Sequence, residues 1–406
     1  MVREPEAEFL LEGDMMPRKT ENLFSARRIL GMGLALASAL VFARCTGSGS
    51  SDITGPDRKN GDVDTVGVVP FDPDRPADTL RVGSLNMSVG FPVAQLFIKD
   101  MRIDTVAYDA LTDMYALYLK GYPAERVKAM ARAIVAESLD VVGLQEVMAL
   151  KEGDSLVNDF LEELKSAIVA AGGPQYVVLR SIMNDTLLTG RRGDSSIALD
   201  FLEGQAILVR PEFTVVDSQR IPFFSLLPIP VRGVDPSQAP RTERGIDYMR
   251  VRTPRGVEFQ VFNTHLEVFT LYSNSQAGEL AALADSLQVR VPDRDGKPRG
   301  RLQLVLGDFN AEPGRDGHRL LQLRGFVDTF DGVGDPDSGG TCCVAGSALW
   351  NPDTTFSNRR IDYVMARGMA ASLSSITSAK GPQEGAGGIR FLASDHRMVV
   401  ARVVAQ

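Results

Sequence analysis

Apolar positions along this chain fall into two periods, one of two residues and one near about 3.6, and their alternation predicts a mixed α/β protein. Thr79–Asn86 (TLRVGSLN) predicts the first strand. From Pro123 to Leu139, Val127, Met130, Ala131, Ile134 and Val135 recur at helical spacing, and Pro123 suits a first turn. Asp140–Leu144 (DVVGL) predicts a buried strand, and Asp154–Ala171 a second amphipathic helix. Further strands are expected at Tyr176–Arg180, Gln205–Arg210, Tyr248–Arg252, Val257–Thr264, Leu302–Leu306, Ile361–Ala366 and Met398–Val404, with helices near Ser275–Val289 and Gly317–Leu323. Several strands follow one another without a crossover helix. Two packed sheets flanked by helices in one domain account for this order better than a doubly wound parallel sheet. The mixed segment between Asn86 and Tyr122 reads as an insertion with helices of its own.

Before Thr79 the pattern changes. Arg27 and Arg28 precede an apolar run from Ile29 to Phe42, which is too short to span a bilayer and about right for an export signal. Gly, Ser, Asp and Pro dominate from Thr46 to Asp78 with no apolar period, as in a linker. The expected layout is therefore a signal over residues 1–44, a linker over 45–78 and a catalytic domain over 79–406. Two processing outcomes are open: lipid attachment at Cys45, or cleavage after Ala43. Glu4, Glu6, Glu8, Glu12 and Asp14 are wrong for the positive start of a signal, so translation is expected to begin at Met15 or Met16. The expected location is periplasmic or cell-surface, with Cys45 as a membrane tether in the lipidated case.

Composition narrows the function classes. The 406 residues carry a formal net charge of −8, so the chain as a whole lacks the basic footprint of a nucleic-acid binder. Three cysteines, Cys45, Cys342 and Cys343, are too few for a disulfide framework or a four-cysteine zinc site. Only three histidines occur, His265, His318 and His396, and two of them fall in the segments below.

Five segments end an apolar run in residues that bind metals or move protons: Ser84-Leu85-Asn86, Leu144-Gln145-Glu146-Val147, Asn263-Thr264-His265-Leu266-Glu267, Gly307-Asp308-Phe309-Asn310 and Ser394-Asp395-His396-Arg397. A sixth, Arg360-Ile361-Asp362-Tyr363-Val364, puts an acid at the start of a strand. Polar groups at strand ends gather at one rim of a sheet, where active sites form. Each segment alone is weak, since a Gly-Asp-x-Asn is usually a turn and a lone strand-end Glu is usually solvated.

In order and combination, the set resembles the endonuclease/exonuclease/phosphatase superfamily of metal-dependent phosphodiesterases, from Thr79 to the C-terminus. The resemblance implies a four-layer α/β sandwich with two packed mixed sheets. It implies that Glu146 is the main ligand of a divalent cation, Mg²⁺ first and Mn²⁺ or another ion second, with Asn86 and Asp395 completing or orienting that shell. Asp308 and Asn310 would position the attacking water, Asp362 would hold His396, and His265 would donate to the phosphate. Whether Asp308 or a histidine takes the water's proton is open.

The substrate is read from what surrounds the motifs. Thr264-His265-Leu266 resembles the exported, sphingomyelinase-like branch, while the Cys-Asp-Arg signature of inositol-polyphosphate phosphatases and the tyrosine- and asparagine-containing motif of abasic-site endonucleases are missing. Ile221–Val231 and Val268–Tyr272 are apolar enough to be membrane-facing loops or plain core. A phospholipid or sphingolipid head group is therefore the expected substrate. A secreted nuclease, a phosphomonoesterase and a binding protein on a degenerate scaffold are the alternatives. Gly340-Thr341-Cys342-Cys343 resembles a loop of exported bacterial members, and its cysteines are open to a vicinal disulfide or two thiols. Arg359 or Arg360 is a candidate to reach the phosphate, and the expected assembly is a monomer.

Overall fold

The computed structural model describes residues 79–90, 115–192, 195–228, 241–287, 302–332, 334, 340–344, 349–350, 356–377 and 383–405. The expected signal, linker and Cys45, and most of the expected insertion, lie outside these residues. In the first half come β1 (Thr79–Asn86), α1 (Pro123–Ala136), β2 (Val141–Glu152), β3 (Ser155–Asp159) and α2 (Phe160–Ala170). They are followed by β4 (Val177–Arg192), β5 (Ser195–Val209) and β6 (Thr214–Pro222). The middle holds β7 (Gly245–Arg252), β8 (Glu258–His265), α3 (Thr270–Ser286), β9 (Gln303–Asp308) and α4 (Asp316–Leu323). The last part runs β10 (Val327–Asp328), β11 (Cys342–Val344), β12 (Phe356–Arg359) and β13 (Asp362–Arg367), then β14 (Met369–Thr377), β15 (Gln383–Glu384), β16 (Arg390–Phe391) and β17 (Met398–Ala405).

Two large mixed sheets form. One has the order β14-β17-β1-β2-β5-β4, with β3 also paired to β2, and the other has the order β10-β13-β9-β8-β7-β6. Parallel pairs, β1 with β2 and β8 with β9, sit at the centre of each sheet, and both are joined by connections carrying a helix. The period of two decides what packs where. Val82, Val141, Ile207 and Val209 from one sheet meet Met249, Val261, Leu304 and Val364 from the other in a shared inner core. The alternate residues face outward. Leu85, Leu144 and Val142 pack under α1 and α2, whereas Phe262, Val305 and Met365 pack under α3 and α4. Helix, sheet, sheet and helix give the expected four-layer sandwich.

The inner faces change character along their length, and this positions the site. On β1 the inner residues run Leu80, Val82, Ser84, Asn86; on β8 they run Phe259, Val261, Asn263, His265; on β9, Leu304, Leu306, Asp308. One half of the inter-sheet space is thus apolar and the other polar. The polar half is cross-linked between sheets. Gln145 Nε2 donates to Asn263 Oδ1 at 2.6 Å, and Asn263 Nδ2 donates to the Leu144 carbonyl at 2.9 Å. Gly143 lets the sheets approach here, since a Cβ on it would lie 2.5 Å from Asn263 Oδ1. Asp247, buried beside Ser181 on the same inner face, has its carboxyl pushed up to about 7 by burial.

Four expectations change. Residues 155–159 form a strand rather than the start of a helix, because Asp159 caps α2 by accepting from Leu161 N at 3.0 Å and Glu162 N at 3.2 Å. The strand expected at Asp140–Leu144 continues to Glu152, so Glu146 lies within β2 and not at its end. Ile221 and Pro222 belong to β6 and Phe223 is buried, so the first part of that expected loop belongs to the core, while residues 229–231 lie outside the described residues. Thr270–Tyr272 is the first turn of α3 and not a loop.

Candidate active site

All eight residues expected at the site gather at the polar end of the inter-sheet space, and all but Asn310 are buried. Asn86 is the hinge of the group. Its Nδ2 donates to Glu146 Oε1 at 3.0 Å and to Asp308 Oδ2 at 3.1 Å, joining a strand of each sheet. Its Oδ1 accepts from Ser88 N at 2.9 Å, which fixes the amide orientation. Glu146 Oε2 accepts from Val89 N at 2.9 Å. The Glu146 backbone has φ 53°, at a bulge where β2 slips against β5 between Leu144 and Val147. A non-glycine residue held there costs about 1 kcal/mol or more, and the bulge turns the carboxylate into the site. Asn310 is held likewise at φ 51°; its N donates to Asp308 Oδ1 at 2.8 Å and its Nδ2 to the Leu266 carbonyl at 2.9 Å.

The histidines flank Asp308. His396 Nδ1 lies 3.1 and 2.9 Å from the two Asp362 oxygens, and its Nε2 lies 3.8 Å from Asp308 Oδ2. Asp362 and Asp308 are register partners on β13 and β9, so both carboxylates point to the inner face. Burial works against a charge on His396, yet the Asp362 carboxylate, by charge and hydrogen bond, outweighs it and holds the imidazole well above its ordinary range. Asp308 is raised, by burial first and the Asp362 charge second. His265 Nε2 lies 3.6 Å from the same Asp308 oxygen. Burial, then Arg244 and then His396 hold His265 well below the ordinary imidazole value. The site thus keeps one imidazole charged and one neutral.

Asp308, Asp362 and His396 bring three ligand-type atoms within 4.8 Å of one another, as do Cys342, Cys343 and His396. Neither set is a convincing cage. Both Asp362 oxygens are already turned to His396 Nδ1, and Cys342 and Cys343 are joined as a disulfide, which removes their thiolates. The Glu146 and Asp395 carboxylates suit a hard divalent cation better: both offer oxygen and lie within the field of the buried Arg126, while Asn86, whose Nδ2 is turned to Glu146 and Asp308, orients that shell. Two buried carboxylates, with water in the remaining positions, fit Mg²⁺ or Mn²⁺.

Sequence reading missed the groups that hold this arrangement. Arg126, fully buried in α1, donates from Nε to the Ala393 carbonyl at 2.8 Å and from Nη2 to the Met87 and Ser88 carbonyls at 2.6 and 2.7 Å. It ties the segment after Asn86 to the segment before Asp395. Its signal was present, since positions 126, 130 and 134 form one buried stripe of the helix. Thr341 Oγ1 accepts from Ile361 N and Asp362 N at 3.0 and 3.1 Å, while its carbonyl accepts from Arg397 N at 2.7 Å, so one residue steadies both Asp362 and His396. Ser394 Oγ donates to the Asn86 carbonyl at 2.8 Å and accepts from His396 N at 3.0 Å.

The expectation that Arg359 or Arg360 reaches the phosphate is not met by the geometry. Arg359 pairs with Glu312 at 3.1 Å, and Arg360 pairs with Asp328 at 2.7 Å while stacking on Phe330 and Tyr363. His318 joins the same structural cluster. Its Nδ1 accepts from Gly314 N at 2.9 Å, so Nε2 carries the proton toward Asp328 Oδ2 at 2.9 Å. Burial raises the Asp328 carboxyl, but the His318 hydrogen bond and the Arg360 charge outweigh it and depress it below its ordinary value. A depressed carboxylate stabilises the fold fully above its unfolded pKa and loses that contribution as pH falls through the folded one. Asp328→Asn is therefore expected to lower stability by about 2–4 kcal/mol at pH 7, the deficit shrinking in acid. Urea denaturation at several pH values measures this; an unchanged midpoint at pH 7 would refute it.

A model described as the Endonuclease/Exonuclease/phosphatase family matches residues 117–396, well over half of the chain. Asn86 lies before that span and joins the site through the fold. Among solved structures, the chain is similar to an endonuclease/exonuclease/phosphatase family protein from Bacteroides thetaiotaomicron, with 15% identity and a TM-score of 0.50, over 81% of this chain and 98% of that one. It is likewise similar to a mannosyl-6-phosphatase from Bacteroides thetaiotaomicron, with 17% identity and a TM-score of 0.50, over 80% and 99%. At these identities the likeness is one of fold. No curated protein sequence matches the chain.

Proposed function

The chain belongs to the endonuclease/exonuclease/phosphatase family and is a metal-dependent hydrolase of phosphoester bonds, and from that premise we propose that it is an exported, Mg²⁺-dependent phosphodiesterase acting on a phospholipid or sphingolipid head group. The observation that carries the chemistry is the chain of contacts from Asp362 through His396 to Asp308, with Asn86 linking Asp308 to Glu146. Glu146 and Asp395 would hold the cation, with Asn86 orienting Glu146 through its Nδ2. When bound, it supplies positive charge to a phosphate oxygen and to the leaving oxygen.

The protein's own residues divide the remaining work. Asp308 and Asn310 orient the water for in-line attack, and the raised Asp308 carboxyl takes its proton. His396, kept protonated by Asp362, sets a positive charge where the phosphoryl oxygens gain negative charge. His265, kept neutral, donates one hydrogen bond to the same group.

A lipid substrate is supported by apolar groups left in water beside the strand end that carries His265. Phe224 is 92% exposed and Leu271 72%. The backbone under each is anchored: Phe224 N donates to Glu279 Oε2 of α3 at 2.7 Å, and Leu271 lies in the first turn of that helix. Exposed apolar side chains on an anchored backbone suit a surface of lipid. The export proposal rests on the sequence of residues 29–45.

The test is hydrolysis by the purified chain with Mg²⁺, offered sphingomyelin and phosphatidylcholine vesicles, plasmid DNA and a sugar monophosphate, with EDTA as the control. Lipid cleavage lost in EDTA is the expected result. Cleavage of DNA alone, or of the monoester alone, would overturn the substrate class.

A further inference from the structure

Arg244 is a charged group that the mechanism so far leaves without a task. It immediately precedes β7, and its carbonyl accepts from Phe223 N at 3.0 Å. The side chain is only 3% exposed, and its Nε and Nη2 are buried with no hydrogen-bond partner among the described residues. Burying guanidinium donors without acceptors is costly, so a site that retains them is built for an acceptor that arrives from elsewhere. These two nitrogens are also a matched pair. Nε–H and Nη2–H lie along one edge of the planar guanidinium and point the same way, the geometry that receives two oxygens of one anion.

The position of Arg244 identifies that anion. β7 pairs with β8 so that Ile246 lies opposite Thr264, and the Gly245 carbonyl accepts from Thr264 Oγ1 at 2.9 Å. Arg244 is thus rooted beside the strand end that presents His265, and its charge is felt there. His265 Nδ1 is itself buried without a partner. The neighbouring carboxylates are committed elsewhere. Glu267 accepts from Thr242 Oγ1 and Val268 N, each at 2.9 Å, and Glu243 lies 3.3 Å from Arg220. Unpaired donors therefore stand on the His265 side of a site whose other members are mostly acidic.

We propose that Arg244 is a substrate-binding residue whose Nε and Nη2 edge receives two non-bridging oxygens of the phosphoryl group under attack. The inference rests on the phosphoester-hydrolase reading and adds to it a cationic contact that belongs to the protein itself. Arg244 holds the anion in place and His265 completes the donor set. Charge alone does not suffice for this role, because a lysine ammonium offers a point charge in place of two parallel donors.

The experiment compares the full chain with Arg244→Lys and Arg244→Ala, all loaded with Mg²⁺. Four quantities are measured: kcat/KM on the best substrate, affinity for inorganic phosphate by calorimetry, affinity for Mg²⁺ alone, and melting temperature. Arg244→Ala is expected to lower kcat/KM by about 100-fold or more and Arg244→Lys by about 10-fold or more. Phosphate binding should weaken by about 10-fold or more in both, with Mg²⁺ affinity and melting temperature retained. Added guanidinium should restore part of the Arg244→Ala activity. Unchanged phosphate affinity in a folded Arg244→Ala variant overturns the proposal, and so does an equal loss of Mg²⁺ affinity, which would mark a structural role. If the unsubstituted chain hydrolyses nothing offered to it, the functional reading fails while the phosphate titration still decides Arg244.

Discussion

Replacing His396 by alanine is expected to lower kcat by about three orders of magnitude or more in a chain that still folds and still binds Mg²⁺. The ring is held from one side by both Asp362 oxygens, at 3.1 and 2.9 Å, and faces Asp308 from the other at 3.8 Å. Among the described residues, nothing else in the site combines a charge held on by a buried carboxylate with a free nitrogen toward the reacting position. Alanine removes both at once and leaves Asp362 buried without its partner. Asp362→Asn keeps the ring but takes away the charge that raises it, so a smaller loss is expected. The double variant should be no worse than His396→Ala, because the two residues act as one unit.

The sign of the pH effect follows from the same contacts. His396 sits well above its ordinary range because Asp362 and then the other carboxylates outweigh burial. Its imidazolium is therefore present at neutral pH and is lost only as pH rises through that elevated value. Activity should fall on the alkaline side, and in Asp362→Asn that fall should move to lower pH. Stopped assays across pH, with folding checked by circular dichroism at each point, measure it. A His396→Ala variant within tenfold of the unsubstituted rate, or an alkaline limb that stays put in Asp362→Asn, would remove His396 from its assigned role.

How much of this was legible in the sequence depends on how far a simple period reaches. Leu80 and Val82 predict the face of β1, and continuing the same alternation leads to Ser84 and Asn86. The same holds for Val261 to His265 and Leu306 to Asp308, so alternation alone places these motifs on one rim. Glu146 broke the rule. It is turned inward by a bulge within a longer strand, and a bulge leaves no mark in an apolar run. Arg126 and Arg244 were missed for a related reason: an arginine reads as a solvated charge unless its neighbours say otherwise. For Arg126 the helical stripe does say so, whereas for Arg244 only the paired strands reveal it. Arg360 failed in the opposite direction. Sequence proximity to Asp362 suggested a phosphate contact, but its partner Asp328 lies 32 residues away and β10 brings it close.

Glu146→Gln is the second change with a large expected effect: turnover lower by about three orders of magnitude, with the loss traceable to the cation. The side chain keeps its size, so the bulge at φ 53° and the packing of β2 should survive. What changes is the hydrogen-bond character of one atom. Glu146 now accepts twice, from Asn86 Nδ2 at 3.0 Å on one oxygen and from Val89 N at 2.9 Å on the other. Glutamine offers one oxygen and one NH₂, so whichever way it turns, a donor faces a donor. If the NH₂ faces Val89, the loop after Asn86 loses its anchor; if it faces Asn86, the amide that links Glu146 to Asp308 is repelled. Both outcomes disturb the donor set as well as removing its negative charge, and a hard cation loses affinity on both counts. Mn²⁺ titration followed by magnetic resonance separates this from a fold defect, because it needs no turnover. The expected result is Mn²⁺ affinity reduced by about 10–100-fold in a chain with an unchanged circular dichroism spectrum. Native Mn²⁺ affinity in Glu146→Gln would move the cation away from Glu146, and the Asp308, Asp362 and His396 group would then have to be considered in its place.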